Sequence, residues 1–169
     1  MYITPARAEQ MDFVPYMRSG TQMVVRKGNP WRLAGRGDLC GRKVSVTLGG
    51  IQKTYARADN EGCKAACRAE VTVMTFPSAQ EAAMAARNGR ADAYYESTAG
   101  VARITTELAD GFEAVGNVFE VGTQIGFAVR QGDTAMAAAL ARAVREVAAD
   151  GTYHRLMDKY YRPRIGSLF

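Results

Sequence analysis

Residues 43–52 read Lys43-Val44-Ser45-Val46-Thr47-Leu48-Gly49-Gly50-Ile51-Gln52. The first six are rich in β-branched side chains, which fit a buried, pleated surface and predict a strand. The glycine pair ends that strand, and Ile51-Gln52 opens the next helix. Strand followed by helix then recurs along the chain, which points to an α/β architecture with a mostly parallel sheet rather than a bundle or a sandwich.

Outward from that stretch, the sequence predicts strands at Met23 to Lys27, Glu70 to Phe76, Ala91 to Tyr95 and Gln124 to Arg130, with a further short one within Phe112 to Glu120. Helix signals lie between them. Ser78 with Glu81 three residues on has the form of a capping box, and Gly89 stands where a C-terminal glycine belongs. Asp133 or Thr134 caps a helix whose Ala137, Leu140, Ala141, Val144 and Val147 share one face, and Asp150-Gly151 interrupts it. A final helix is expected from Thr152 to Tyr161, ended by Pro163. Near the start, Thr4-Pro5 predicts a cap and a short helix over Pro5 to Gln10. Met1 to Ile3 reads as the tail of a strand, and the clearest loop is Gly28 to Asp38.

The chain has 169 residues, 47% of them hydrophobic and 23% charged, which fits one globular domain or two small lobes. No apolar run approaches the ~20 residues of a membrane-spanning helix, and the first residues lack the basic-then-apolar build of a signal peptide. The +5 net charge arises from 22 Lys+Arg against 17 Asp+Glu. The basic residues are scattered and accompanied by no nucleic-acid-docking motif, so no nucleic-acid partner is expected. Cys40, Cys63 and Cys67 permit one disulfide with an odd thiol, or no bond at all.

Several segments together resemble the polar amino-acid family of extracytoplasmic solute-binding proteins, family 3, which feed ABC importers. They are Ile3-Thr4-Pro5-Ala6-Arg7-Ala8-Glu9-Gln10, Asp12-Phe13, Pro15-Tyr16, Val24-Val25-Arg26-Lys27-Gly28, Asp38-Leu39-Cys40-Gly41-Arg42-Lys43-Val44, Gly89-Arg90-Ala91-Asp92-Ala93 and Asp150-Gly151-Thr152-Tyr153. Their order and spacing agree over nearly the whole chain. The resemblance implies a type II periplasmic-binding fold of two α/β lobes that close on a ligand through a hinge. Mapped onto it, residues 1–25 and 122–169 are the remaining part of lobe 1 with the hinge strands, and 26–121 form lobe 2. The opening of lobe 1 is missing on this mapping, which leaves apolar surface that a homodimer through the incomplete lobe would cover.

Site residues follow from the same resemblance. In the family, the arginine of I-T-P-x-R grips the ligand carboxylate, and that position is Arg7, whose guanidinium offers paired donors to a planar anion. Tyr2 falls where a small hydroxyl residue often stands, so its ring either walls the pocket or packs. Thr4 is read as a cap. Gly50 and Ile51 stand where related proteins carry G-T-T, which keeps backbone donors and drops hydroxyl donors. Ser97 occupies the place of an aspartate that pairs with the ligand ammonium. Serine brings no charge there, so either neighbouring Glu96 supplies it or the ligand lacks a free ammonium. Ser97 is also a natural helix cap. Asp92 is read as anchoring a turn.

The helix after Leu48 must run back beside its strand, which brings Cys63 near Cys40, and some family members pair these positions. A Cys40–Cys63 disulfide is therefore expected, with Cys67 free. A structural zinc site would need a fourth ligand, for which only His154 is present. His154 has no nucleophile motif around it, and no carboxylate pair identifies an acid and a base, so no enzyme and no cofactor are expected. The expected function is an extracytoplasmic or periplasmic receptor for an amino acid or related small carboxylate, with an ABC permease as partner. The alternatives on the same fold are the ligand-sensing domain of a membrane receptor and a dehydratase-like enzyme.

Overall fold

The computed structural model describes residues 1–161 and 167–169. Pro163, expected to end the last helix, lies outside the described residues. The chain forms two compact units: Met1–Gly20 with Glu120–Phe169, hereafter unit 1, and Thr21–Phe119, unit 2.

Five strands make one sheet in the order β3-β2-β4-β1-β5: β1 (Met11–Arg26), β2 (Lys43–Thr47), β3 (Thr72–Phe76), β4 (Ala93–Ser97) and β5 (Phe112–Arg130). Strand β2 runs parallel to both β3 and β4, whereas β1 pairs antiparallel with β4 through Thr21 opposite Ser97 to Val24 opposite Tyr94. The sheet is thus mixed, parallel around β2 and antiparallel between β4 and β1.

In unit 2 the two faces of the sheet carry separate cores. Val44, Val46, Ala93 and Tyr95 pack with Ala56 and Cys63 of α2 (Gln52–Ala65). On the other face Val24 and Tyr94 pack with Ala82, Ala83 and Ala86 of α3 (Ala79–Arg87) and with Val101 and Ile104 of α4 (Thr98–Glu107). Ser45 points to the second face, fully buried, and its hydroxyl lies 2.8 Å from the Ala82 carbonyl and 3.2 Å from that of Ala93. The Ser78 hydroxyl caps α3 by accepting from the Glu81 amide. Asp92 pins the start of β4 to β2: its amide donates to the Lys43 carbonyl, and its carboxylate accepts from the Lys43 amide at 2.8 Å.

In unit 1, α1 spans only Pro5–Ala8, capped by Thr4, and the chain leaves the helix before Gln10. Tyr2 forms an antiparallel bridge with Ile125 of β5. Asp133 caps α5 (Thr134–Ala149), and α6 (Thr152–Tyr161) follows. The apolar stripe of α5 contributes no buried residue. With Tyr16, Phe127 and Tyr153 it lines an open groove of about 260 Å³.

Two expectations are corrected. Met23 to Lys27 is only the end of the sixteen-residue β1, and the two strands expected within 112–130 are one continuous β5. Along β1, Ser19, Gly20 and Thr21 are buried in succession. Pairing with neighbouring strands, rather than a period-two pattern, extends it through residues that read as a loop.

Cys40 and Cys63 form a disulfide with a Cα–Cα distance of 5.6 Å, and Cys67 is exposed and free. The bond closes a span of 23 residues between the 3-10 turn Arg36–Leu39 and α2. In the chain-entropy account a loop of that length adds roughly 3 kcal/mol. Reduction should therefore lower the urea midpoint of the wild type. Cys67→Ser should respond to reductant as the wild type does, whereas Cys40→Ser should be insensitive to it.

Candidate functional site

In unit 2 the topology itself marks a place. From β2 the chain passes through α2 to β3 on one side, and from β3 it returns through α3 to β4 on the other. The connections diverge around β2 on opposite faces of the sheet, and at such a switch point the crevice outside the carboxyl ends of the strands is where ligands bind. Helix α2 begins above β2 and α4 begins above β4, so two helix N-termini open at neighbouring strand ends.

The turn between β2 and α2 is built on Gly49, whose φ of +73° is a left-handed conformation suited to glycine. The Gly50 amide donates to the Thr47 carbonyl at 3.0 Å. A Cβ at Gly50 would stand 3.1 Å from that carbonyl oxygen and 2.9 Å from Gln52 Oε1, so a larger residue would require both to give way slightly. No side chain caps α2. Lys53 and Thr54 donate to the Gly50 and Ile51 carbonyls, which leaves Ile51 and Gln52 as the opening amides that the helix does not use. Of the expected pair, Ile51 thus presents its amide, whereas the Gly50 amide is spent on the turn.

Ser97 caps α4, its hydroxyl oxygen accepting from the Gly100 amide at 3.1 Å. Beside it, Glu96 is folded back on its own chain. Its Oε1 accepts from the Ser97 amide at 2.6 Å, and its Oε2 accepts from the Tyr94 hydroxyl. Burial, then the neighbouring Glu96 charge, pushes the Tyr94 hydroxyl far above the usual tyrosine range, so it stays protonated and donates. Gly100 makes room for this arrangement: a Cβ there would lie 2.4 Å from Glu96 Cγ and 2.6 Å from Cδ. Glu96 forms no ion pair among the described residues.

In unit 1, Arg7 is half-buried and its Nη1 donates to the Tyr2 carbonyl at 2.9 Å. The Tyr2 hydroxyl is engaged at Gly20 and Ser19, 3.0 Å from the Gly20 carbonyl and 3.2 Å from Ser19 Oγ. Tyr2 therefore ties the first residues to β1 and orients Arg7 through its carbonyl. Among the expected site residues, Arg7 and Tyr2 are in direct contact, and in unit 2 Gly50, Ile51 and Ser97 lie at the ends of adjacent strands. The Tyr94–Glu96–Gly100 set was not expected beyond the mention of Glu96. Its one sequence signal is a glycine early in a helix that already has a serine cap. Among the described residues no three His, Cys, Asp or Glu side chains gather as a metal site.

Comparison with known proteins gives a consistent picture. The profile of the bacterial extracellular solute-binding proteins, family 3, matches residues 1–163. The ABC transporter arginine-binding protein 1 of Escherichia coli strain K12 is 28% identical over 165 residues, covering 95% of this chain and 63% of the relative. The L-cystine-binding protein TcyJ of the same strain is 29% identical over 160 residues, covering 94% and 57%. Among solved structures, an ancestral arginine-binding protein bound to arginine superposes with a TM-score of 0.81 at 31% identity, covering 95% of this chain and 69% of that one. The chain spans about three fifths of the length of these two curated relatives.

Gly100→Ala tests the Glu96 geometry by its sign. In an unconstrained helix the change stabilises by about 1 kcal/mol. Here the new methyl meets the Glu96 chain, and the expected result is destabilisation of about 1–3 kcal/mol in chemical denaturation. Glu96→Ala in the same chain should turn the effect of Gly100→Ala back towards stabilisation.

Proposed function

The chain belongs to family 3 of the bacterial extracellular solute-binding proteins, and from that membership we propose that it is the binding component of an extracytoplasmic ABC importer for an amino acid or close derivative. Its fold is the α/β type II periplasmic-binding fold. We assign unit 1 to lobe 1 and unit 2 to lobe 2. The relatives named above are binding proteins for arginine and cystine, and a receptor rather than an enzyme is the reading they support. The Cys40–Cys63 disulfide accords with an oxidising compartment.

The observation that carries the reading is the placement of Arg7. The motif arginine donates to the Tyr2 carbonyl next to a capped turn, which orients its side chain. In unit 1, Arg7 grips the ligand carboxylate through charge-assisted hydrogen bonds. In unit 2, the Ile51 and Gln52 amides donate to ligand oxygens, and Ser97 offers its hydroxyl. Glu96 supplies the negative charge for the ligand ammonium that Ser97 cannot, from a carboxylate with only two of its acceptor positions engaged. The Ile51 side chain contributes apolar wall in place of a hydroxyl.

Titration calorimetry of the chain, or of a longer chain containing it, against the L-amino acids should find a bound ligand that is recovered unchanged after incubation. Arg7→Ala should weaken that binding by about a hundredfold, the scale of a lost charged pair. Glu96→Gln should weaken it by about tenfold or more while leaving carboxylates without an ammonium unaffected. Affinity unchanged in Arg7→Ala refutes the assignment of Arg7, and chemical conversion of the ligand refutes the receptor reading.

A further inference from the structure

The end of unit 2 where β2 and β4 begin and β1 ends lies opposite the strand ends described above. There the loop after β1 carries Trp31, the sole tryptophan of the chain, 51% exposed. Its exposure is not the slack of a mobile loop. Asn29 and Arg32, on either side, hold left-handed backbone conformations with φ of 38° and 51°. Such non-glycine conformations persist where the surroundings over-determine them. Here the Asn29 side chain clamps both backbone groups of Leu33, accepting from its amide and donating to its carbonyl, each at 2.9 Å. The Asn29 amide donates to the Arg26 carbonyl and the Arg32 amide to the Asn29 carbonyl. Leu33, 3% exposed, anchors the loop in the core. The core thus takes Leu33 and leaves Trp31 outside on a rigid mount.

Charge surrounds it. The Arg42 guanidinium stacks 4.1 Å over the Trp31 ring. Arg26 ends β1, Lys27 and Arg32 lie in the loop after it, all three are exposed, and exposed Lys43 follows Arg42. The carboxylates on the segments alongside are Asp38, accepting from the Ala34 and Gly35 amides, Glu70, paired with Lys64, Asp92, already accepting from the Lys43 amide, and Asp110 and Glu113 beyond Gly111, whose carbonyl accepts from the Lys27 amide. Arg68, whose Nη1 donates to the Gly37 carbonyl, adds a further cation. Positive charge remains in excess around an exposed indole.

We infer that this end of unit 2 is a docking surface for an anionic phospholipid bilayer. Indole rings favour the headgroup region of a membrane, and lysine or arginine near an anionic leaflet is drawn to it additively. Charge complementarity commits the surface to that occupant, since an aromatic mounted rigidly among cations fits a layer of anionic headgroups above apolar chains. The inference stands on residues other than those assigned to the amino-acid site, so either can fail without the other.

The test uses the intact chain and vesicles of phosphatidylcholine with and without phosphatidylglycerol. With one tryptophan, the emission of Trp31 reports directly. At low ionic strength it should shift to the blue with anionic vesicles only, and the protein should co-sediment with them and be released at about 0.5 M salt. Lys27→Glu combined with Arg42→Glu should weaken co-sedimentation by about tenfold or more. Arg142→Glu, an exposed charge reversal in unit 1, should not weaken it, and circular dichroism checks that each variant folds. Three outcomes overturn the inference: no vesicle-dependent shift at low salt, equal loss in Arg142→Glu, or a shift with polyglutamate but not with vesicles, which would mark an acidic protein surface as the partner.

Discussion

Burial of β2 on both faces is the constraint from which unit 2 follows. A strand with Val44 and Val46 against one helix layer and Ser45 against the other cannot lie at the edge of the sheet or face water on either side. It needs a neighbour on each flank and a helix above and below, and α2, β3, α3 and β4 supply these in turn. Ser45 is a fully buried polar group in that sandwich, satisfied by carbonyls of α3 and β4, so it accepts β4 beside β2 only in a register that brings Ala93 to its hydroxyl. A buried hydroxyl without a partner would cost more than the bond contributes. The Asp92 carboxylate sets the same register from the strand start. Once β4 is fixed beside β2, the starts of α2 and α4 are brought to neighbouring strand ends, and the edge that carries the candidate site is determined.

Much of this was legible in the sequence, for local reasons. Thr4, Ser78, Ser97 and Asp133 all act as caps because each can accept from an amide two or three residues ahead, a requirement met within one turn. The disulfide was legible because a helix returning along its strand has few places to end. The long strands were not. Met11 to Gln22 includes Pro15, Arg18, Ser19, Gly20, Thr21 and Gln22, whose local preferences favour loop. Only the neighbouring strands β4 and β5, far away in sequence, provide the pairing that makes it a strand.

The same distinction divides the candidate site. Arg7, Ile51 and Ser97 were nameable because a motif or a strand-to-helix junction identifies them. The loss of the Gly50 amide to Thr47 and the fold-back of Glu96 are facts of three-dimensional contact. Glu96 accepts from Tyr94, two positions before it, and from Ser97, one position after it, yet depends on a helical glycine four residues on to leave space. Tyr94 and Glu96 give no signal of the arrangement, and Gly100, a glycine early in a helix already capped by Ser97, is the only hint in the set.

The disulfide is reinforced by a charged tie between the same elements. Arg36, in the turn that leads to Cys40, pairs with Asp59 of α2 at 2.7 Å, and Asp59 also accepts from the Tyr95 hydroxyl at 2.6 Å. The Arg36 guanidinium lies 4.3 Å over the Phe119 ring, which meets Tyr95 edge-on. Burial works against the Arg36 charge, but the hydrogen bond and charge of Asp59 outweigh it and raise its pKa. Burial, then Asp59, raises the Tyr95 hydroxyl as well, so it remains a donor. The sign is decisive for both. A raised folded-state pKa gives stability that is complete below the unfolded value and lost only above it. For arginine and tyrosine the unfolded values already lie well above neutrality, so these two groups hold the tie unchanged through neutral pH. A covalent bond that reductant removes and an ionic cluster indifferent to redox conditions thus hold one junction.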